Sequence, residues 1–249
     1  MPKIFCGILL AGIIIAVIFF AFGPSDSKKP SNEDSATSTE ETETPKRENL
    51  PVLVLDAGHG GLDPGKVGVN DVLEKDINLA IVQKLQVLLE EYGFTVHLTR
   101  NSDQILGPAN SSSPKRDDMI ARVEMVKELH PYFTISIHQN SFPDADVNGP
   151  QVFYYKNSVE SATMAQVIQN ALNQYLAPQK MREAQSNTNY YLLTRTPTPT
   201  VIVECGFLSN PTEADLLATE EYQSKVAEAV FMGIVSYYET NSSTQTPSE

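Results

Sequence analysis

The chain contains few cysteines and few basic residues. Its 249 residues include 2 cysteines, Cys6 in an apolar N-terminal run and Cys205 in an apolar stretch near the other end, which excludes a disulfide framework. Lys and Arg number 18 against 31 Asp and Glu, so the formal net charge is -13. Because so acidic a chain repels phosphates, we expect no binding to nucleic acid. Hydrophobic residues make up 41% of the sequence, which is enough for a sizeable core.

Phosphate-binding motifs are also missing. The glycine-rich segment from Gly58 to Gly65 matches neither the GxGxxG pattern nor the Walker pattern with its Lys-Ser/Thr pair. These glycines instead predict a tight turn whose backbone can approach a metal or a bulky substrate closely.

The N-terminal part of the chain differs in composition from the rest. Residues 4–22 are almost uninterruptedly apolar, and at about 1.5 Å per residue such a run can just cross a hydrocarbon core of about 30 Å. We expect residues 1–23 to form a transmembrane signal-anchor, with a cleaved signal peptide as the alternative. Residues 24–49 lack large apolar side chains and predict a disordered tether. Residues 50–238 are then one folded domain, and residues 239–249 are a flexible tail.

Short β-type runs alternate with helical patterns in the folded domain. The predicted strands are 51–57, 94–99, 133–138, 151–155, 190–194 and 200–205. The predicted helices are 72–92, 117–130, 159–176 and 220–238. This alternation predicts an α/β fold: a single layered domain with a mainly parallel, or mixed, central sheet and helices on both faces.

Three polar side chains lie at the carboxyl ends of apolar strands. His59 follows the first strand, His138 ends the run FTISIH, and Glu204 lies near the end of TVIVEC. We expect them at one edge of the sheet, where ligands of α/β folds bind, and Glu74 at the start of the first helix can reach the same edge. Two histidines with one or two carboxylates match the ligand set of catalytic zinc, with a carboxylate left as general base. These four residues predict hydrolysis of an amide or similar acyl bond.

Each of these residues also has an ordinary structural interpretation. A histidine at a strand end more often hydrogen-bonds a loop, and the helix dipole favours a carboxylate such as Glu74 in a first turn. Glu204 is harder to explain in this way, because a carboxylate in an apolar run is costly to bury unless it is paired, metal-bound or used. We expect structural roles for the two other histidines and for the core thiol: His97, His130 and Cys205.

Three segments resemble the signatures of the zinc-dependent N-acetylmuramoyl-L-alanine amidases. The first signature is matched by VLVLDAGHGGLDPGKVGVNDVLEKDINLAI, the second by FTISIHQNS and the third by TVIVECGFLSNPTEADLL. The resemblance covers residues 50–238 with the signatures in order. The segments HQNSFPDADVNGPQVFYY and NTNYYLLTRTPTPTVIVECGF are most similar to the membrane-anchored branch that acts in spore-cortex maturation.

The resemblance implies a role for each site residue. His59, Glu74 and His138 would bind Zn²⁺, Glu204 would be the catalytic general acid/base, and Asn140 would help to bind substrate. Residues 50–238 would then be the catalytic domain. The reaction would be cleavage of the amide bond between N-acetylmuramic acid and L-alanine in peptidoglycan. In spore cortex that step precedes formation of muramic-δ-lactam.

The resemblance also gives expectations for partners and location. Peptidoglycan is the expected substrate, and an accessory lipoprotein that activates or loads the zinc site is an expected partner. The signal-anchor would hold the catalytic domain at the membrane outside the cytoplasm, in a sporulating cell between the forespore membranes. Two alternatives stay open. One is a zinc exopeptidase acting on wall-derived peptides, although no H-x-x-E ligand pair is present; the other is a non-catalytic wall-binding domain.

Overall fold

The computed structural model describes residues 50–108 and 110–243. The predicted signal-anchor and tether lie outside these residues, as does the end of the predicted tail. Among the described residues, no helix has the length and apolar character needed to cross a bilayer.

The domain alternates strands with helices, as the sequence predicts. The strands are β1 (Val52–Ala57), β2 (Thr95–Leu98), β3 (Phe133–Asn140), β4 (Gln151–Tyr155), β5 (Gln185–Asn187) and β6 (Thr200–Phe207). The helices are α1 (Glu74–Tyr92), α2 (Pro114–Leu129), α3 (Val159–Leu176), α4 (Tyr191–Arg195), α5 (Pro211–Leu217) and α6 (Glu220–Ser243). Gly93 ends α1 with a left-handed φ of 116°, a conformation that glycine adopts readily at the end of a helix.

The strands form one mixed sheet in the order β2-β1-β3-β6-β4-β5. The first four strands of this order are parallel, β4 is antiparallel to β6, and β5 is parallel to β4. The α/β fold with a mixed sheet is therefore confirmed. Because β1, β3 and β6 are adjacent and parallel, their carboxyl ends lie at the same edge.

The two faces of this sheet differ in polarity. Successive side chains of a strand point to opposite faces. One set from β1, β3 and β6 joins the main core with apolar residues of α1, α3 and α6: Leu53, Leu55, Ala57, Phe133, Ile135, Ile137, Val201, Val203 and Cys205. The alternate set includes Asp56, Ser136 and Glu204, which are buried on the face that α2 and α4 contact. The polar groups thus lie on the second face, and helices cover both.

Three details of the sequence prediction are wrong or incomplete. The run at 190–194 is not a strand but the one-turn helix α4, in which the adjacent Leu192 and Leu193 are both buried. The turn between β5 and α4 is stabilised by Asn187, whose side-chain oxygen accepts the backbone N–H groups of Asn189 and Tyr190. The short elements β5 and α5 are missing from the prediction, and α6 continues to Ser243, past the expected end of the domain at 238.

Candidate metal centre

The structure brings three of the predicted site residues together. Nε2 of His59 lies 3.2 Å and Nδ1 of His138 lies 3.0 Å from Oε1 of Glu74, and the three ligand atoms all lie within 4.8 Å of one another. Ligand atoms of a tetrahedral zinc site at 2.0–2.1 Å from the metal are about 3.4 Å apart. Two imidazoles and one carboxylate at this spacing fit a divalent metal ion such as zinc.

The loop after β1 is shaped for close approach to this centre. His59 itself has a left-handed φ of 62°, which is uncommon for a residue other than glycine. A Cβ atom at Gly58 would overlap the ring of His138, and one at Gly65 would lie 2.7 Å from the ring of His59. The predicted tight turn is therefore present, and these glycines leave room for the ligands.

Glu74 is held as an ionised carboxylate. Its side chain is buried and accepts backbone hydrogen bonds from Lys66 at 2.8 Å and Gln139 at 3.0 Å. Burial alone would raise the pKa of Glu74, but hydrogen bonds from His138 and His59, together with their charges, hold this pKa well below its usual range. A ligand that stays deprotonated at neutral pH is what a metal ion requires.

Each histidine is oriented by a hydrogen-bonding partner. Nδ1 of His59 lies 2.8 Å from Oδ2 of Asp63, a contact that directs Nε2 of the same ring toward Glu74. The other oxygen of Asp63 pairs with the ammonium of Lys115 at 2.6 Å. For His138, burial alone would lower the imidazole pKa, but the hydrogen bond with Glu74 raises it.

Glu204 lies next to the cluster of His59, Glu74 and His138. It is paired in register with His138 across β3 and β6, and its side chain is largely buried. Among the described residues its Oε2 atom has no hydrogen-bond partner. Burial raises the pKa of Glu204 to about 7, while the charge of His138 opposes this rise. A carboxyl group that titrates near neutrality can both accept and return a proton.

The centre lies where two arms of a cleft meet. The apolar arm encloses about 390 Å³ and includes side chains of α2, α4 and β6: Met119, Tyr191, Leu192 and Ile202. The polar arm encloses about 500 Å³ and includes Lys66, Gln139, Asn140 and Ser141. The residues that border both arms are His59, Asp63, Lys115, His138, Tyr190 and Glu204.

The remaining sequence candidates lie apart from the ligand cluster. Asn140 lines the polar arm, where its side-chain oxygen accepts the backbone N–H of Ser141 at 2.8 Å. His97 lies within β2, and His130 follows α2 in a left-handed conformation. Cys205 is buried in the core, and burial raises the pKa of its thiol far above the usual range.

Sequence reasoning missed two buried arginines that support the centre. Arg122 pairs with Asp56 and Asp118, and it donates to the backbone oxygen of His59 at 2.7 Å. Arg100 donates to the backbone oxygens of Ala57, Gly58 and Lys75. The two guanidinium groups therefore hold the loop that carries His59.

The sequence gives only a weak indication that buried arginines hold this loop. Asp56 stands in the otherwise apolar run VLVLDA, but its partner Arg122 lies 66 residues away within an ordinary helical pattern. Burial raises the pKa of Asp56, but the charge of Arg122 and a hydrogen bond from Ser136 outweigh burial and lower it to about 2. The carboxylate is thus ionised and paired inside the domain.

Comparisons with known proteins show which family this chain resembles. Residues 53–236 match the family model for N-acetylmuramoyl-L-alanine amidase. The germination-specific N-acetylmuramoyl-L-alanine amidase of Bacillus subtilis is 35% identical over 92% of each chain. The CwlD amidase of Clostridioides difficile, solved in complex with the GerS lipoprotein, is 37% identical with a TM-score of 0.74, covering 77% of this chain and 100% of that one.

A third relative is the catalytic domain of CwlV, an amidase from Bacillus (Paenibacillus) polymyxa var. colistinus. It is 30% identical, with a TM-score of 0.68, over 76% of this chain and 99% of that one. With the family model matching most of the folded domain, the chain belongs to the N-acetylmuramoyl-L-alanine amidase family of peptidoglycan hydrolases.

Proposed function

We propose that the amidase is zinc-dependent, with His59, Glu74 and His138 as metal ligands and Glu204 as the catalytic general acid/base. The observation that carries this proposal is the convergence of three ligand atoms within 4.8 Å, beside a buried carboxyl with a pKa of about 7. The bond cleaved is the amide between the lactyl group of N-acetylmuramic acid and L-alanine.

Glu204 performs the proton transfers in this mechanism. When bound, Zn²⁺ supplies Lewis acidity that polarises a carbonyl and makes water more acidic. Glu204 accepts the proton of the attacking water and returns it to the alanine nitrogen as the C–N bond breaks. The products are a lactyl carboxylate on the glycan and a free stem peptide. Asp63 keeps His59 in the required tautomer, and the buried arginines hold the loop in place.

We further propose action in spore-cortex maturation. Support comes from the 35% identity to a germination-specific amidase and the 37% identity to the CwlD amidase. Because the latter was solved with the GerS lipoprotein, we include an accessory lipoprotein that activates or loads the zinc site. The predicted anchor at residues 1–23 and tether at 24–49 would hold the catalytic domain outside the cytoplasm. Asn140 remains a proposed substrate-binding residue.

The test is digestion of purified peptidoglycan by the detergent-solubilised full-length chain. We expect free stem peptides by mass spectrometry with zinc and none after chelation. Glu204→Gln should lower the rate by about 10²- to 10⁴-fold, since it removes the general acid/base, while the variant still binds zinc. Glu228→Gln is the matched control, because Glu228 is exposed on α6.

Other products would favour the alternatives. Cleavage within the stem peptide would favour an exopeptidase. Wall binding that is unaffected by Glu204→Gln, without any cleavage, would favour a binding domain. Release of stem peptides by the chelated protein would contradict the metal requirement.

A further inference from the structure

We propose that the polar arm receives the stem peptide and that Lys66 binds the free carboxylate on the second residue of that peptide. The inference rests on the proposed function, because it places the glycan and the peptide of an amidase substrate in the two arms on either side of the catalytic centre. It makes Lys66 a residue that determines substrate specificity.

The two arms differ in what they can bind. If the bond to be cleaved lies at Glu204, which borders both arms, the glycan occupies one arm and the peptide occupies the other. The apolar arm offers the aromatic ring of Tyr191 and the aliphatic side chains of Leu192 and Ile202, which suit the apolar faces of a sugar and its acetyl and lactyl methyl groups. The polar arm offers amide, hydroxyl and ammonium groups, which suit a peptide backbone and its charges.

Lys66 is the cation of the polar arm that is free for a substrate. Lys115 lines the same arm, but its ammonium is committed to Asp63 at 2.6 Å. The side chain of Lys66 is exposed and has no ion-pair partner within residues 50–108 and 110–243. In a chain of net charge -13, such a cation offsets the general repulsion of an anionic substrate.

The backbone of Lys66 is fixed relative to the centre. Its N–H donates to Oε2 of Glu74 at 2.8 Å, and its carbonyl accepts the N–H of Glu74 at 3.0 Å. The flexible side chain of Lys66 therefore starts from a fixed backbone position next to Glu74, and its ammonium group can adjust to a substrate.

The substrate carboxylate in question is close to the bond that is cleaved. Consecutive Cα atoms are about 3.8 Å apart, so a carboxylate on the second residue lies about 5 Å beyond the alanine Cα. The four-carbon stem of a lysine can cover a gap of this size, and its ammonium acts as a point charge that tolerates some variation in geometry.

The test combines a change in the enzyme with a change in the substrate. Soluble glycan strands are prepared with the second stem residue, a γ-linked glutamate, carrying either a free carboxylate or a carboxamide. The zinc-loaded full-length chain should prefer the carboxylate form by about 5- to 10-fold in kcat/KM, mainly through KM. In Lys66→Gln we expect this ratio to fall to about 1, and in Lys66→Arg to be largely retained.

The matched control is Lys156→Gln. Lys156 is exposed and follows β4, whose last residues pair with the start of β6, so it lies at the opposite edge of the sheet from the centre. This variant should keep the wild-type ratio. A wild-type ratio near 1, or a ratio unchanged in Lys66→Gln, would overturn the inference while leaving the amidase mechanism intact. Cleavage of neither substrate by the wild type would overturn the proposed function and this inference together.

Discussion

At the residue scale, Glu204 destabilises the metal-free fold. Its pKa rises from an ordinary 4.5 to about 7 on burial, so the unfolded state loses its proton first as the pH increases. The free energy of unfolding therefore falls between about pH 4.5 and pH 7 and stays low above it. We expect Glu204→Gln, which cannot ionise, to be more stable than wild type by about 3 kcal/mol at pH 8 and nearly equal at pH 4.5.

Urea denaturation in the presence of a chelator measures this difference. Glu228→Gln serves again as the control and should show no pH-dependent gain, since Glu228 is exposed on α6. A gain for Glu204→Gln that is the same at both pH values would show that the carboxyl is not titrating differently in the folded state.

Asp63 is the residue that orients His59, the first of the proposed ligands. Its oxygen lies 2.8 Å from Nδ1 of His59, and partners of this kind commonly contribute 10- to 100-fold in metal affinity. We expect Asp63→Ala to weaken zinc binding by about that factor, measured by competition with a chromogenic chelator. Asp146→Ala, at an exposed position, should bind zinc like wild type. Equal affinities for both variants would refute the orienting role.

At the scale of elements, one ion pair connects β1, α2 and the ligand loop. Arg122 from α2 pairs with Asp56 of β1 and donates to the backbone of Ala57 and His59. Arg122→Met leaves a buried carboxylate without its partner, and we expect a loss of about 3–5 kcal/mol in the free energy of unfolding.

A double-mutant cycle in urea separates the pair from general packing damage. The further change Asp56→Asn removes the unpaired charge, so the double variant should be more stable than Arg122→Met alone. Losses that simply add would mean that the two side chains contribute independently.

The main strands can be predicted from the sequence, whereas contacts between distant elements cannot. The strands that lead to His59, His138 and Glu204 are predicted correctly because each is a mainly apolar run of strand length, and their parallel order brings the carboxyl ends together. The arginine support was missed because its contacts join distant parts of the chain that carry no common motif.

The short elements β5 and α4 are not predicted correctly from the sequence. The three residues of β5 are polar and form a strand only because β4 offers an edge for pairing. The sequence predicts a strand where α4 lies because tyrosine is enriched in strands, although leucine favours helices. The side-chain oxygen of Asn187 accepts the backbone N–H groups of Asn189 and Tyr190 just before α4, a contact that is visible only in the structure.

At the scale of the whole molecule, metal binding should stabilise the fold. The proposed ligands come from the loop after β1, from α1 and from β3, so the three side chains come together only in the folded state. Free zinc at about 100 times its Kd adds about 2.7 kcal/mol, which corresponds to a rise of about 5–10 °C in Tm for a domain of this size.

Thermal unfolding with and without zinc measures that rise. His59→Ala should show a much smaller shift. His130→Asn should keep the shift, because asparagine tolerates the left-handed conformation at this position, which lies outside the centre. Equal shifts for both variants would indicate zinc binding elsewhere on the molecule.

The packing of α6 against α1 bears on when the enzyme becomes active. α1 carries Glu74 at its first residue, and α6 packs along it and against α3. A chain synthesised from its N-terminus therefore lacks part of the support for α1 until α6 emerges. Since zinc affinity depends on a formed site, a partly synthesised or truncated chain should not hold the ion. Wall hydrolysis would then be restricted to finished molecules, which protects the cell from active fragments.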